Sequence, residues 1–336
     1  ACPHLLPSLL RMVLDRKKTG HAGFAVSLKG HFWTLGPFLR HNLLPPRVPE
    51  WAAWETSLED GVVGTLQLSG RLSQSASDTV VVIIHGLGGS ATSYYGRKAA
   101  VAASHAGVDS LRLNLRGADR GGADFYHAGL TEDLDAALQS RALEGYENIL
   151  LLGYSLGGNM MLRYLAGEPD RRVRAAATVC SPIDLKAGAR AIDRPRGVFY
   201  RRHVLSALKD IYRNVAAQRE VPVPIREAAR IDTIELWDER IIAPRYGFAG
   251  AEDYWAQTSA CNVLDRIETP TLFVAADRDP MVLIDSVRPR LQNASTLRRV
   301  VTSHGGHVGF PRKVDLGLGN EGTVEDQIIQ WMLAPT

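Results

Sequence analysis

Ser155 stands in Gly153-Tyr154-Ser155-Leu156-Gly157, between an apolar run at 149–152 and an amphipathic stretch at 156–166. The Gly-x-Ser-x-Gly spacing alone is weak evidence in a chain with 31 glycines. The strand before it and the helix after it are what a nucleophile elbow requires. Such a turn strains the serine backbone so that the hydroxyl projects above the sheet, and glycines on either side remove colliding side chains. A serine hydroxyl is inert at neutral pH unless a base takes its proton. His307 is the expected base, because Thr302-Ser303-His304-Gly305-Gly306-His307 follows the apolar run 297–301 and can reach over the strand ends. His304 is the alternative. The orienting acid is expected at Asp279, which follows the run 271–275 with Ala276 three residues before it and Val282 three after. Asp277 is the runner-up, read as a turn cap. The order serine, acid, histidine is that of the α/β-hydrolases and differs from the chymotrypsin and subtilisin orders.

A tetrahedral oxyanion needs two backbone donors, one after the nucleophile and one from an earlier loop. Leu156 N–H and Leu87 N–H are the candidates, the second within His85-Gly86-Leu87-Gly88-Gly89-Ser90 after the run 80–84. This loop lacks the Gly-Lys-Ser/Thr ending of a phosphate-binding P-loop. His85 is expected to orient the loop rather than to react. The paired histidines have no Cys or carboxylate beside them at ligand spacing, so no metal and no cofactor is expected.

The elements that must position these residues alternate. Strand runs at 80–84, 111–115, 149–152, 175–180, 271–275 and 297–301 are separated by helical patterns at 97–104, 130–143, 156–166 and 285–291, with a last helix at 324–333. That alternation predicts an α/β fold, a mostly parallel central sheet flanked by helices. Between 183 and 268 no core strand is evident, only helical segments carrying Phe199, Tyr200, Tyr212, Trp237, Tyr246, Phe248 and Trp255. This predicts a helical lid inserted between core strands, over the carboxyl ends where such sheets bind ligands. The expected divisions are an N-terminal amphipathic extension at 1–28, hydrolase core at 29–182, lid at 183–268 and core again at 269–336.

The motifs resemble one subfamily, the YheT-like esterases of the α/β-hydrolases, over nearly the whole chain beyond about residue 29. They are Gly30-His31-Phe32-Trp33-Thr34 with Pro37 and Arg40, His85-Gly86-Leu87 through Ser93 and Tyr95, and Asn114-Leu115-Arg116-Gly117. Further matches are Tyr126-His127-Ala128-Gly129-Leu130-Thr131-Glu132-Asp133, the elbow through Asn159, the segment from Phe248 to Trp255, and Gly305-Gly306-His307-Val308-Gly309-Phe310. Members usually carry Leu-Gln where this chain has Phe32-Trp33. The resemblance implies carboxylic-ester hydrolysis by a Ser-His-Asp triad through an acyl-enzyme, without metal or organic cofactor. Relatives act on short acyl esters and eukaryotic cousins on lipids.

Composition narrows the rest. With 39 Lys plus Arg against 36 Asp plus Glu, the net charge of +3 gives no footprint for nucleic acid. Cys2, Cys180 and Cys261 form neither a zinc knuckle nor a disulfide framework, and a reducing cytoplasm is the simplest setting. No run approaches the 18 apolar residues of a spanning helix. Leu5, Leu6, Leu9, Leu10, Val13 and Leu14 repeat at helical spacing before Arg16-Lys17-Lys18, the reverse of a signal peptide's charge order. They read as an amphipathic helix packing on the body or a partner, with membrane contact the minority reading. The expected partner is a small ester, with short to medium acyl chains of about C4 to C8 favoured by the aromatic insertion and by Tyr95 and Phe310 as substrate contacts. An alcohol acyltransferase, a thioesterase or a lipase or phospholipase would use the same residues. A non-enzymatic receptor on this fold would lack a triad member.

Overall fold

The structure, a computed structural model, describes residues 21–61, 64–292, 294 and 296–335. The leucine repeat expected to form the N-terminal helix lies outside the described residues. The first described element, α1 (His21–Leu43), runs across the expected boundary at residue 29. It carries Gly30, Gly36 and an internal Pro37, so its helicity comes from packing rather than propensity.

The core is one sheet of eight strands in the order β1-β2-β4-β3-β5-β6-β7-β8. The strands are β1 (Ala52–Asp60), β2 (Gly64–Ser73), β3 (Thr79–Ile84), β4 (Asp109–Asn114), β5 (Asn148–Tyr154), β6 (Val173–Val179), β7 (Thr271–Ala276) and β8 (Leu297–Thr302). All pairings from β4 through β8 are parallel. β3 and β7 are buried at every residue, and β5 at all but its first, which is why they read as unbroken apolar runs. The antiparallel pair β1–β2 was not legible. Along β1 only Trp54 is buried, so the segment shows no continuous apolar run.

Helices cover both faces. On one face pack α2 (Tyr94–His105) and α9 (Val324–Leu333), and on the other α3 (Glu132–Leu138) and α4 (Leu156–Leu165). Between Val179 and Thr271 the regular elements are all helical, with α5 (Leu185–Asp193), α6 (Val198–Ala216), several single turns, and α7 (Ala251–Thr258). After β7 comes α8 (Ile284–Leu291). No described helix is long and apolar enough to cross a membrane.

Two of the quoted motifs are structural. Asp133 is fully buried and accepts from Arg116 Nε and from the Arg116 backbone N–H, both at 2.8 Å, while Arg116 Nη1 reaches Asp60 at 2.7 Å. The pair fixes the turn after β4 against α3 and the edge hairpin. Removing one partner leaves an uncompensated buried charge, so Asp133→Ala should cost about 3–5 kcal/mol. Urea unfolding measures this, and a loss under about 1 kcal/mol would show that the pair is not structural.

Candidate active site

The turn at Ser155 is sterically over-determined. Ser155 has φ 50° and ψ −123°, outside the regions an L-residue adopts freely. A Cβ at Gly153 would stand 2.5 Å from Gly158 Cα, and one at Gly157 would stand 2.4 Å from the His85 carbonyl oxygen. Only glycine therefore lets β5, α4 and the loop after β3 approach this closely. Asn159, fully buried, secures the helix by donating to the Ala128 and Thr258 carbonyls and accepting from Ala260 N–H.

The loop after β3 is held as rigidly. His85 Nδ1 lies 2.8 Å from the Gly86 carbonyl, and its Nε2 accepts from Leu115 N–H. Burial pushes the His85 pKa down to about 4, so the ring is neutral with its proton on Nδ1. Gly86 N–H donates to Tyr95 Oη and Gly88 N–H to Tyr126 Oη. Between them Leu87 N–H has no acceptor among the described residues, and neither has Leu156 N–H at the start of α4. Two free donors thus remain on the wall of the cavity that holds Ser155, the second at the positive end of a helix dipole. Tyr95, expected to contact substrate, lines the cavity but spends its hydroxyl on Gly86.

Asp279 and His307 meet. His307 Nδ1 lies 2.8 Å from Asp279 Oδ2, both side chains being buried, and Asp279 Oδ1 accepts from Met281 and Val282 N–H. Val282, read in sequence as spacing, thus supplies a backbone donor that locks the carboxylate. Asp277 pairs with Arg278 at 3.8 Å instead, and His304 is exposed and bonds Ser303. Cys180 Sγ, the Asp279 carboxylate and a His307 ring nitrogen lie within 4.8 Å of one another, a spacing a metal could use. Burial and the Asp279 charge push the Cys180 thiol well up, holding it protonated, and a metal there would compete with the Asp279–His307 bond.

Ser155, His307, Leu87 and Leu156 all line one cavity of about 450 Å³. The helical segment between β6 and β7 contributes Phe199, Tyr200, Trp237 and Trp255 to its wall. Tyr246 and Phe248 turn away and stack around His127. Phe310 corrects the expectation of a substrate contact: it is buried in the core against Gly305 and does not reach the cavity wall. Asp238, on a π-helical turn (Asp238–Ile242), is the only carboxylate on that wall among the described residues. Its Oδ2 accepts from Trp255 Nε1 at 2.8 Å, and burial pushes its pKa up to about 7.

Gly30 through Thr34 have no role legible in the sequence. Thr34 Oγ1 donates to the Gly30 carbonyl and accepts from His307 N–H, both at 2.8 Å. A Cβ at Gly306 would fall 2.2 Å from the Gly30 carbonyl oxygen, and one at Gly309 would fall 2.1 Å from that of Trp33. Helix α1 is therefore part of the site: it carries Thr34, Leu35 and Phe38 to the cavity wall and pins the histidine loop. Its His31 also meets Tyr200 Oη at 2.5 Å, tying α1 to α6.

Fold and site together define an α/β-hydrolase. A model of the alpha/beta hydrolase fold matches residues 79–204. An Escherichia coli (strain K12) protein named as an esterase, YheT, is 34% identical over 271 residues, covering 78% of each chain. A monoacylglycerol lipase of Saccharomyces cerevisiae is 26% identical, covering 71% of this chain and 56% of its own. Among solved structures, an esterase of Pyrococcus furiosus superposes with a TM-score of 0.53 at 19% identity, covering 79% of this chain and 90% of that one, and shows the fold alone. This chain belongs to the YheT-like family of the α/β-hydrolases, carboxylic ester hydrolases.

Thr34→Val removes the acceptor for His307 N–H without changing side-chain size. Leaving that buried donor unpaired should lower kcat on p-nitrophenyl butyrate about tenfold with KM little changed. Thr34→Ser should stay within about twofold. Equal losses in both variants, or a change confined to KM, would remove Thr34 from the site.

Proposed function

We propose that this chain is a serine carboxylesterase for short- to medium-chain esters, with Ser155 as nucleophile, His307 as general base and Asp279 as its orienting acid. The observation that carries the reading is the 2.8 Å Asp279–His307 contact on the cavity that also holds the strained Ser155. Asp279 Oδ2 accepts the hydrogen bond from Nδ1–H and holds that tautomer, so Nε2 is left as the acceptor of the Ser155 proton. Ser155 Oγ attacks the ester carbonyl, and the developing oxyanion is met by Leu87 and Leu156 N–H. His307 then protonates the leaving alcohol and activates water to release the acid. The helical segment from 183 to 268 acts as a lid that excludes bulk water and supplies apolar wall. The monoacylglycerol lipase among the relatives supports an acyl chain in that wall.

Ser155→Ala should fold normally and lose at least about 1,000-fold in kcat. Asp279→Asn should lose about 10⁴-fold through the wrong imidazole tautomer, with Asp277→Asn under about tenfold. Steady-state kinetics beside fluorophosphonate labelling decides this; a label on any other serine overturns the assignment.

Each buried acyl CH₂ stabilises the complex by about 0.8 kcal/mol, so kcat/KM should climb from the acetyl ester and peak at about C4 to C8. Asp238 adds a pH dependence of known sign. Its carboxyl is uncharged below its raised pKa of about 7 and ionised above it. An apolar chain strips water from an ionised carboxylate, so KM for C6 and C8 esters should rise between pH 6 and 8, and Asp238→Asn should flatten that rise. A C2–C16 series at both pH values measures it, and a maximum at C12 or longer would replace the reading with a lipase.

A further inference from the structure

Away from the Ser155 cavity, three arginines crowd one face of the sheet. Arg71 on β2 and Arg112 on β4 are direct partners in the antiparallel register, so their side chains leave the same face. Helix α2, which packs on β4 across that face, brings Arg97 to them. Arg112 is 1% exposed. Its Nη1 donates to the Ala91 carbonyl, but its Nε and Nη2 are buried and without a partner, as are Arg97 Nε and Ser73 Oγ. Ser73 lies two residues from Arg71 along β2 and therefore on the same face. Arg71 lies over the ring of exposed Trp51 at 4.2 Å rather than on a carboxylate. Burial, then Arg71 and Arg97, lower the Arg112 pKa to about 10, and among the described residues no acidic group offsets them.

Buried cationic donors with nothing to donate to are among the most costly groups a fold can keep, and native structures rarely leave them so. The geometry points to a binding site for a phosphate group, with Arg112 as its floor and Arg71 and Arg97 as its rim. Nε and Nη2 on one edge of Arg112 form a fork that takes two oxygens of an anion. Arg97 Nε and the Ser73 hydroxyl are further unspent donors. A carboxylate has only the two oxygens the fork would use, whereas a tetrahedral phosphate keeps others and brings the second charge that three cations call for. None of the three arginines lines the Ser155 cavity, so the site is separate from the ester site. The two are linked through Ala91, whose carbonyl accepts from Arg112 and whose N–H donates to Asn114 Oδ1. Ala91 ends the loop that carries Leu87, so an anion held by Arg112 braces that loop from behind.

Thermal unfolding and isothermal calorimetry on the full chain, with phosphate titrated against chloride at constant ionic strength, test this. Phosphate should raise the melting temperature saturably, by roughly 4–5 °C at 100-fold over its Kd. Arg71→Ala/Arg97→Ala should weaken that Kd at least about tenfold. Arg112→Met carries the sharper sign: without its anion the buried charge is a burden, so the variant should melt higher than wild type in phosphate-free buffer and no longer respond to phosphate. A parallel titration with glycerol 3-phosphate separates a free ion from a phosphate carried on an organic group, by which of the two binds tighter. No saturable shift beyond the chloride control, an unchanged Kd in the rim variant, or Arg112→Met melting lower than wild type in phosphate-free buffer while still binding phosphate would each overturn the site.

Discussion

The steric closure around Ser155 is the constraint on which the rest of the molecule depends. Three backbone segments meet there at distances no side chain tolerates: the end of β5, the first turn of α4 and the loop leaving β3. Because β3 and β5 are parallel neighbours, their carboxyl ends lie side by side, and the elbow and the oxyanion loop arrive together without any long connection. The strain at Ser155 persists because burial on both faces of the sheet leaves the turn no other place to relax. The hydroxyl is thereby held out of the sheet, and Leu87 and Leu156 N–H are left unspent beside it.

Around this fixed point the other parts differ in how they are held. The Asp279 carboxylate is locked by backbone donors from Met281 and Val282, so its orientation is local to the turn after β7. The histidine depends on a distant segment, because its backbone N–H finds its acceptor in Thr34, 273 positions earlier. Glycines at 306 and 309 serve close helix packing rather than chain reversal alone, and α1 works as a backstop for the loop. A segment preceding the first strand is in this way as much a part of the site as the strands themselves.

The cavity wall sets an apolar lid side against hydroxyls and imidazoles, with Asp238 its single carboxylate among the described residues. Its placement on a π-helical turn matters, since the widened turn shifts the register of side chains by one position within an otherwise helical stretch. At the β2–β4 pair, outside that cavity, the unpaired donors of Arg112 mark a second polar centre with the reverse charge.

How much was legible follows from how local each signal is. The buried parallel strands, the strained turn at Ser155 and the meeting of Asp279 with His307 were readable in the sequence, because apolar runs, glycine spacing and turn chemistry act within a few residues. The edge hairpin was not, since strands wetted along their edge need no continuous apolar run. Phe310 was misread because proximity in sequence to His307 says nothing about the side to which a ring turns; it faces the core. The roles of Thr34, His31 and the arginine cluster lay beyond any sequence pattern. Each is a contact between segments far apart in the chain, and only tertiary packing decides which polar groups end up buried together, satisfied or not.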